Sequence, residues 1–145
     1  MIYTPITKKA MIVAYNAHHG QTDPSGVPYI FHPLYLAQQM TDEISTAAAL
    51  LHDVVEDTPI SLDDLRREGF PESVIQVVDL LTHREDVSYL DYVRALKDNP
   101  AAKAIKLADL AHNCNVTRLN EVTAEDIKYL ARYRAAFEIL QNSET

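Results

Sequence analysis

Four ionisable side chains, His52, Asp53, Glu56 and Asp57, close the apolar run Ala47-Ala48-Ala49-Leu50-Leu51, where the pattern calls for a helix entering the core. Isolated charges in a low-dielectric interior cost several kcal/mol each unless they are paired or bound to metal. Carboxylates in the last turn of a helix also oppose its macrodipole. A cluster that breaks two local rules among residues that obey them marks a functional site. The natural neutraliser is a divalent cation.

On a helix each residue advances about 100°, so His52 stacks over Glu56, while Asp53 shares a face with Glu56 and Asp57. His52 and Asp53 alone leave an ion under-coordinated, so further donors must come from distant segments. The best placed are His32, held at a helix start by Pro33, and Asp109, which interrupts the apolar face of the stretch Ala101 to Leu119. Together His32, His52, Asp53 and Asp109 make a mixed nitrogen and oxygen set with positions open to water. Such a set favours one octahedral Mn²⁺ or Fe²⁺ over the thiolate-rich tetrahedron of structural zinc, with Zn²⁺ and Mg²⁺ as alternatives. A solitary His or Asp is ordinarily a cap or a satisfied core hydrogen-bonder; four in apolar helical contexts would need four separate explanations.

These donors must be carried by helices, because no sustained period-two alternation occurs and caps punctuate nearly the whole sequence. The expected elements run from Pro5 to His19, from Pro33 to Met40 and from Glu43 through Asp57. A short helix follows, capped by Ser61 and closed near Gly69, then one from Pro71 to Leu81 and one from Ser88 to Lys97. A long helix from Pro100 is expected to reach Leu119, and a last one, capped by Thr123, to end near Gln141. That is an all-α bundle of about eight helices, with the segment Asp23 to Pro28 as a loop.

The bulk composition fits one domain spanning residues 1–145, with 47% hydrophobic residues and only 3 glycines. Thirteen basic against 21 acidic residues give a net charge of −8, which argues against nucleic acid or an anionic membrane as the main partner. A small anionic ligand such as a nucleotide stays open if a cation and a few basic side chains assist. The single Cys114 excludes an internal disulfide and fits a reducing cytoplasm. The apolar stretch Ala10 to Tyr15 is too short to span a membrane. Oligomeric state is not legible.

Ala17-His18-His19-Gly20-Gln21, Gly26-Val27-Pro28-Tyr29-Ile30-Phe31-His32-Pro33-Leu34, Leu51-His52-Asp53-Val54-Val55-Glu56-Asp57-Thr58 and Lys106-Leu107-Ala108-Asp109-Leu110-Ala111-His112-Asn113 resemble the successive motifs of the HD-domain hydrolases of the RelA/SpoT type. Order and spacing agree over most of the chain. The resemblance implies an HD-domain helical bundle with a buried Mn²⁺ held at His32, His52, Asp53 and Asp109. It also implies that Glu56 and Asp57 serve the hydrolytic water, and that the reaction removes the 3′-pyrophosphate from the alarmone (p)ppGpp of the stringent response. Synthesis of the alarmone is not expected, since the long members use further domains for it.

Asn113 resembles the family residue that contacts the nucleotide at its sugar, with a helix-surface amide as the alternative. Tyr29 and Tyr133 are candidates to line a nucleotide pocket, though a core position explains either as well. Lys106 is read as an exposed lysine near an acid before a phosphate ligand, and His112 as a packing or hydrogen-bonding residue before an alternative metal ligand. His18 and His19 end the first helix, where the dipole favours an imidazolium. One departure stands out. After His-x-Gly-Gln the long alarmone enzymes usually carry a basic pair for the guanine end, whereas this chain has Thr22-Asp23-Pro24-Ser25. Ser25 then becomes a substrate-facing candidate, and base contact could pass to Lys8, Lys9 or Arg118. The rival readings are a phosphohydrolase for another nucleotide and a nucleotide-binding module without turnover.

Overall fold

Caps and apolar faces together set the helices of this chain, whose computed structural model describes residues 1–142. The helices are α1 Pro5–Ala17, α2 Phe31–Gln38, α3 Glu43–Leu51, α4 Val54–Asp57, α5 Leu62–Arg67, α6 Glu72–Leu81, α7 Tyr89–Ala95, α8 Pro100–Asn113 and α9 Ala124–Gln141. A 3₁₀ turn, Val116–Arg118, lies between the last two. Among the described residues the only extended pairing is an isolated antiparallel bridge, Thr22 with Pro28. The expected caps form: Ser61, Ser88 and Thr123 accept the backbone N–H groups of Asp64, Asp91 and Asp126. Each is worth about 1 kcal/mol to its helix.

The axis of the molecule is α3. Every residue from Ser45 to Leu51 is buried, and α1, α2, α6 and α8 pack around it. Three consecutive alanines let neighbouring helices approach closely, while Leu50 and Leu51 fill the space beyond them. A helix apolar on nearly its whole circumference can only be central. By contrast α9 rests on α7 and α8 and buries only Ala136 and Leu140.

Several helix ends differ from the sequence expectation, and three of these differences bear on the site. The helix expected from Glu43 through Asp57 stops at Leu51, because the His52 side-chain Nδ1 takes the Ala49 carbonyl at 2.7 Å while the His52 backbone N–H reaches it only at 3.5 Å. Asp53 then adopts φ −106°, ψ 0°, a bridge conformation, before α4 restarts. His52 and Glu56 therefore do not stack on one continuous helix, and with this break the described residues hold nine α-helices, in keeping with the expected all-α bundle of about eight. The helix expected to reach Leu119 ends at Asn113. Asn115 Oδ1 accepts from both the N–H and the hydroxyl of Thr117, a local bond that competes with helix continuation and opens the 3₁₀ turn. Finally, α2 begins at Phe31, with Pro33 inside its first turn, where a missing N–H costs nothing.

Between α1 and α2 the chain makes a tight turn that shapes one rim of the site. Asp23 Oδ1 accepts from the N–H groups of Ser25 and Val27, and Gly26 sits at φ +87°, a conformation that only glycine adopts without strain.

Candidate metal centre

His32 on α2, His52 at the end of α3 and Asp109 on α8 are all buried and offer ligand atoms within 4.8 Å of one another. His32 Nε2 lies 2.8 Å from Asp109 Oδ1, and His52 Nε2 lies 3.0 Å from Asp53 Oδ2 and 3.8 Å from Asp109 Oδ1. Asp53 also heads a second acidic group with Glu56 and Asp57, again within 4.8 Å. Three separated segments thus converge, as a shared ion requires.

The chemistry of the donors fits a divalent cation. His52 Nδ1–H donates to the Ala49 carbonyl, which leaves Nε2 as the inward-facing nitrogen. That atom is buried and has no hydrogen-bond partner of acceptable geometry among the described residues, despite the two carboxylates beside it. Burial alone would lower the pKa of His52, but Asp53 and Asp109 outweigh it and hold the imidazole well above its ordinary range. A field that favours a proton at Nε2 favours a metal cation there equally.

Around this corner sits a shell of fixed partners, several of them illegible in the sequence. His112 Nδ1 lies 2.7 Å from His32 Nδ1, with the rings nearly parallel at 7°. Burial, helped by Arg118 and His32, brings the His112 pKa down to about 4, so the ring stays neutral and can accept the His32 Nδ1–H. His32 Nε2 is then free to be a ligand, the usual logic of an outer partner of a metal-binding histidine. Lys106 is not an exposed lysine: its ammonium donates to Asp109 Oδ2 at 2.9 Å and lies 5.3 Å from the centre of the Tyr92 ring. Burial would lower its pKa, yet Asp109 and the phenols of Tyr92 and Tyr89 raise it, so Lys106 stays charged. In return Asp109 is held well below the carboxylate range against its own burial.

Glu56 and Asp57, by contrast, are exposed at the lip. Glu56 Oε1 accepts the His83 backbone N–H at 2.6 Å, and Oε2 has no hydrogen-bond partner among the described residues; the residue lines the cavity. Partial burial, reinforced by Asp53 and Asp57, raises the Glu56 pKa, and burial with Asp53 does the same for Asp57. Both acids therefore hold protons more readily than solvated ones.

All ten site candidates line one cavity of about 560 Å³. Three of the four substrate-facing ones are already engaged within the protein. The Tyr29 hydroxyl donates to Asp53 Oδ2, and burial followed by that carboxylate keeps the phenol protonated. Asn113 Nδ2 donates to Asp109 Oδ1 at 3.1 Å, and Ser25 Oγ donates to the Arg118 carbonyl at 2.8 Å. Tyr133 has no hydrogen bond among the described residues and stands beside Tyr129. His18, expected as a helix-end imidazolium, is instead buried at 2% exposure, bonded through Nδ1 to Gln21 Oε1, with Nε2 unpartnered among the described residues. Lys8 and Lys9 do not line the cavity, and Lys9 reaches the Glu68 carbonyl on another face; Arg118 does line it.

A profile of the HD-domain family matches residues 10–131, and the chain belongs to that family. It is 36% identical over 121 residues to the bifunctional (p)ppGpp synthase/hydrolase SpoT of Escherichia coli, a match covering 73% of this chain and 17% of that protein. A GTP pyrophosphokinase of Streptomyces coelicolor is 39% identical over 124 residues, covering 77% of this chain and 14% of its own length. The chain therefore spans less than a fifth of the curated relatives it matches. A solved structure of a metazoan ortholog of SpoT, described as hydrolysing ppGpp and playing a role in starvation responses, superposes with a TM-score of 0.80 at 27% identity. That superposition covers 99% of this chain and 89% of the other. No helix among the described residues is long and apolar enough to cross a membrane.

Proposed function

We propose that this chain is a metal-dependent phosphohydrolase that removes the 3′-pyrophosphate from (p)ppGpp in the cytoplasm, with residues 1–145 forming its HD domain. The observation that carries the reading is the meeting of His32, His52 and Asp109 beside the acidic group Asp53, Glu56 and Asp57, on the wall of one nucleotide-sized cavity. The relatives support the substrate: that of Borreliella burgdorferi, 36% identical over 122 residues, is named guanosine-3′,5′-bis(diphosphate) 3′-pyrophosphohydrolase.

His32, His52, Asp53 and Asp109 would hold the ion, and their two imidazoles with two carboxylates suit Mn²⁺. A divalent ion supplies charge neutralisation for a phosphoryl oxygen and a lowered pKa for water. The protein's own groups do the rest. Glu56, anchored at Oε1 by the His83 N–H, presents Oε2 to take a proton from the attacking water, and its raised pKa makes it a stronger base than a solvated carboxylate. Asp57 lies beside it to orient that water. A bond forms between the water oxygen and the phosphorus on O3′, the P–O3′ bond breaks, and the departing oxygen takes up a proton, giving pyrophosphate and guanosine 5′-diphosphate, or the 5′-triphosphate from pppGpp. Lys106 fixes Asp109 and offsets its charge, so the incoming phosphates meet less repulsion.

Purified protein with Mn²⁺ is expected to release pyrophosphate from ppGpp, and Glu56→Gln to lose turnover while retaining metal. A panel of Mn²⁺, Fe²⁺, Zn²⁺ and Mg²⁺ assigns the ion. One feature favours a second reading, hydrolysis of a different phosphorylated nucleotide: Asp23 stands in the turn where the resemblance expects a basic pair. Inert ppGpp with turnover of another nucleotide would establish it. Binding without turnover under any of the four ions would leave only a nucleotide-binding module.

A further inference from the structure

We infer that Arg132 is the residue that grips the uncleaved 5′-phosphate end of the nucleotide, a role that rests on the nucleotide reading above. Three cationic side chains line the cavity: Lys106, Arg118 and Arg132. Two are already committed. The Lys106 ammonium is bonded to Asp109 at 2.9 Å. Arg118 donates to the His112 carbonyl at 3.0 Å and to Asn113 Oδ1 at 3.3 Å, and its other terminal nitrogen is 3.9 Å from Asp23 Oδ2. Arg132 has no hydrogen-bonded or ion-paired partner among the described residues. Its guanidinium lies over the Tyr89 ring, 4.0 Å from the centroid, on the exposed α9 wall.

That placement answers an electrostatic need. The reacting corner carries Asp53, Glu56, Asp57 and Asp109, and one divalent ion cancels only part of that charge, so a polyanionic nucleotide needs a cation whose charge is not already spent. Stacking on an aromatic face holds a guanidinium through its π-surface and leaves its in-plane N–H fork to meet phosphate oxygens. Tyr89 is also the ring that the Lys106 ammonium approaches, at 5.8 Å. The two cations therefore share one aromatic support, with Lys106 on the reacting side and Arg132 on the outer side. The phosphate that reaches Arg132 is the one that is not cleaved.

The test is equilibrium binding by calorimetry to the full chain loaded with Mn²⁺, using GDP, which carries only the 5′-diphosphate, and guanosine, which carries none. The wild-type protein is expected to bind GDP at least about 10-fold more tightly than guanosine. Arg132→Ala should erase that preference without weakening guanosine, and Arg132→Lys should restore part of it. With ppGpp as substrate, R132A should raise KM by roughly the same factor and leave kcat near wild type. The inference is overturned if R132A binds GDP as the wild type does, if the wild type does not prefer GDP, or if both ligands weaken together. Should ppGpp prove inert while the GDP preference still depends on Arg132, the proposed reaction falls and the grip stands.

Discussion

His32, His52 and Asp109 are 4%, 3% and 6% exposed and stand on α2, α3 and α8, whereas Glu56, Tyr129 and Arg132 face solvent from α4 and α9. The inner wall is part of the core: its helices pack on α3 or are α3 itself, His32 and Asp109 are bonded through both of their polar atoms, and His52 is anchored through Nδ1. The outer wall is carried by a helix of four residues and by one that buries just two side chains. Donors that share an ion must be fixed within a few tenths of an ångström, so they belong on mutually packed elements. Groups that meet an arriving substrate sit where few buried contacts resist local movement.

Removing an inner-wall donor is expected to have the largest effect. Asp109→Asn or His52→Ala should abolish metal retention, read by elemental analysis, and lower turnover by roughly 10³-fold or more, because several kcal/mol of charge stabilisation goes with the ion. On the outer wall, Glu56→Gln should cost about 10²-fold in kcat while metal content stays at the wild-type level. Loss of metal in that variant would erase the distinction between the two walls. A smaller change should follow at the back of the inner wall, where His112→Ala removes the acceptor of the His32 Nδ1–H. Metal affinity, measured by competition with a chelator, should weaken about 10- to 100-fold. An unchanged affinity would mean that the His32 ring is held by packing alone.

The same contrast appears in stability. Leu50→Ala, in the fully enclosed axis helix, should lower unfolding free energy by about 2–5 kcal/mol in denaturant melts. Thr123→Ala, which removes the cap of α9, should cost only about 1 kcal/mol. If the two were equal, α9 would be as integral to the core as α3.

Much of this was legible in the residues. The apolar run into His52-Asp53, the isolated Asp109 and the His32-Pro33 pair were readable as a converging set because charged groups in apolar contexts are costly and so are rarely idle. The caps at Ser61, Ser88 and Thr123 were readable because their bonds are local. The break between α3 and α4 was not, since it comes from one histidine capturing its own helix's carbonyl, a choice the apolar pattern does not register. Nor were the contacts of His112 with His32, of Lys106 with Asp109, or of Arg132 with Tyr89. In each pair the partners lie on one helix face or on different helices, and only packing decides whether the side chains turn toward each other or toward water.

The order of apolar and polar residues therefore determined which groups this protein would have to neutralise and on which helices they would ride. The tertiary structure alone decided which nitrogen faces the ion, which cation is cancelled and which is left over. Those outcomes depend on distances of a few ångströms between segments far apart in the chain, where electrostatic energy is steep and sequence spacing carries no information.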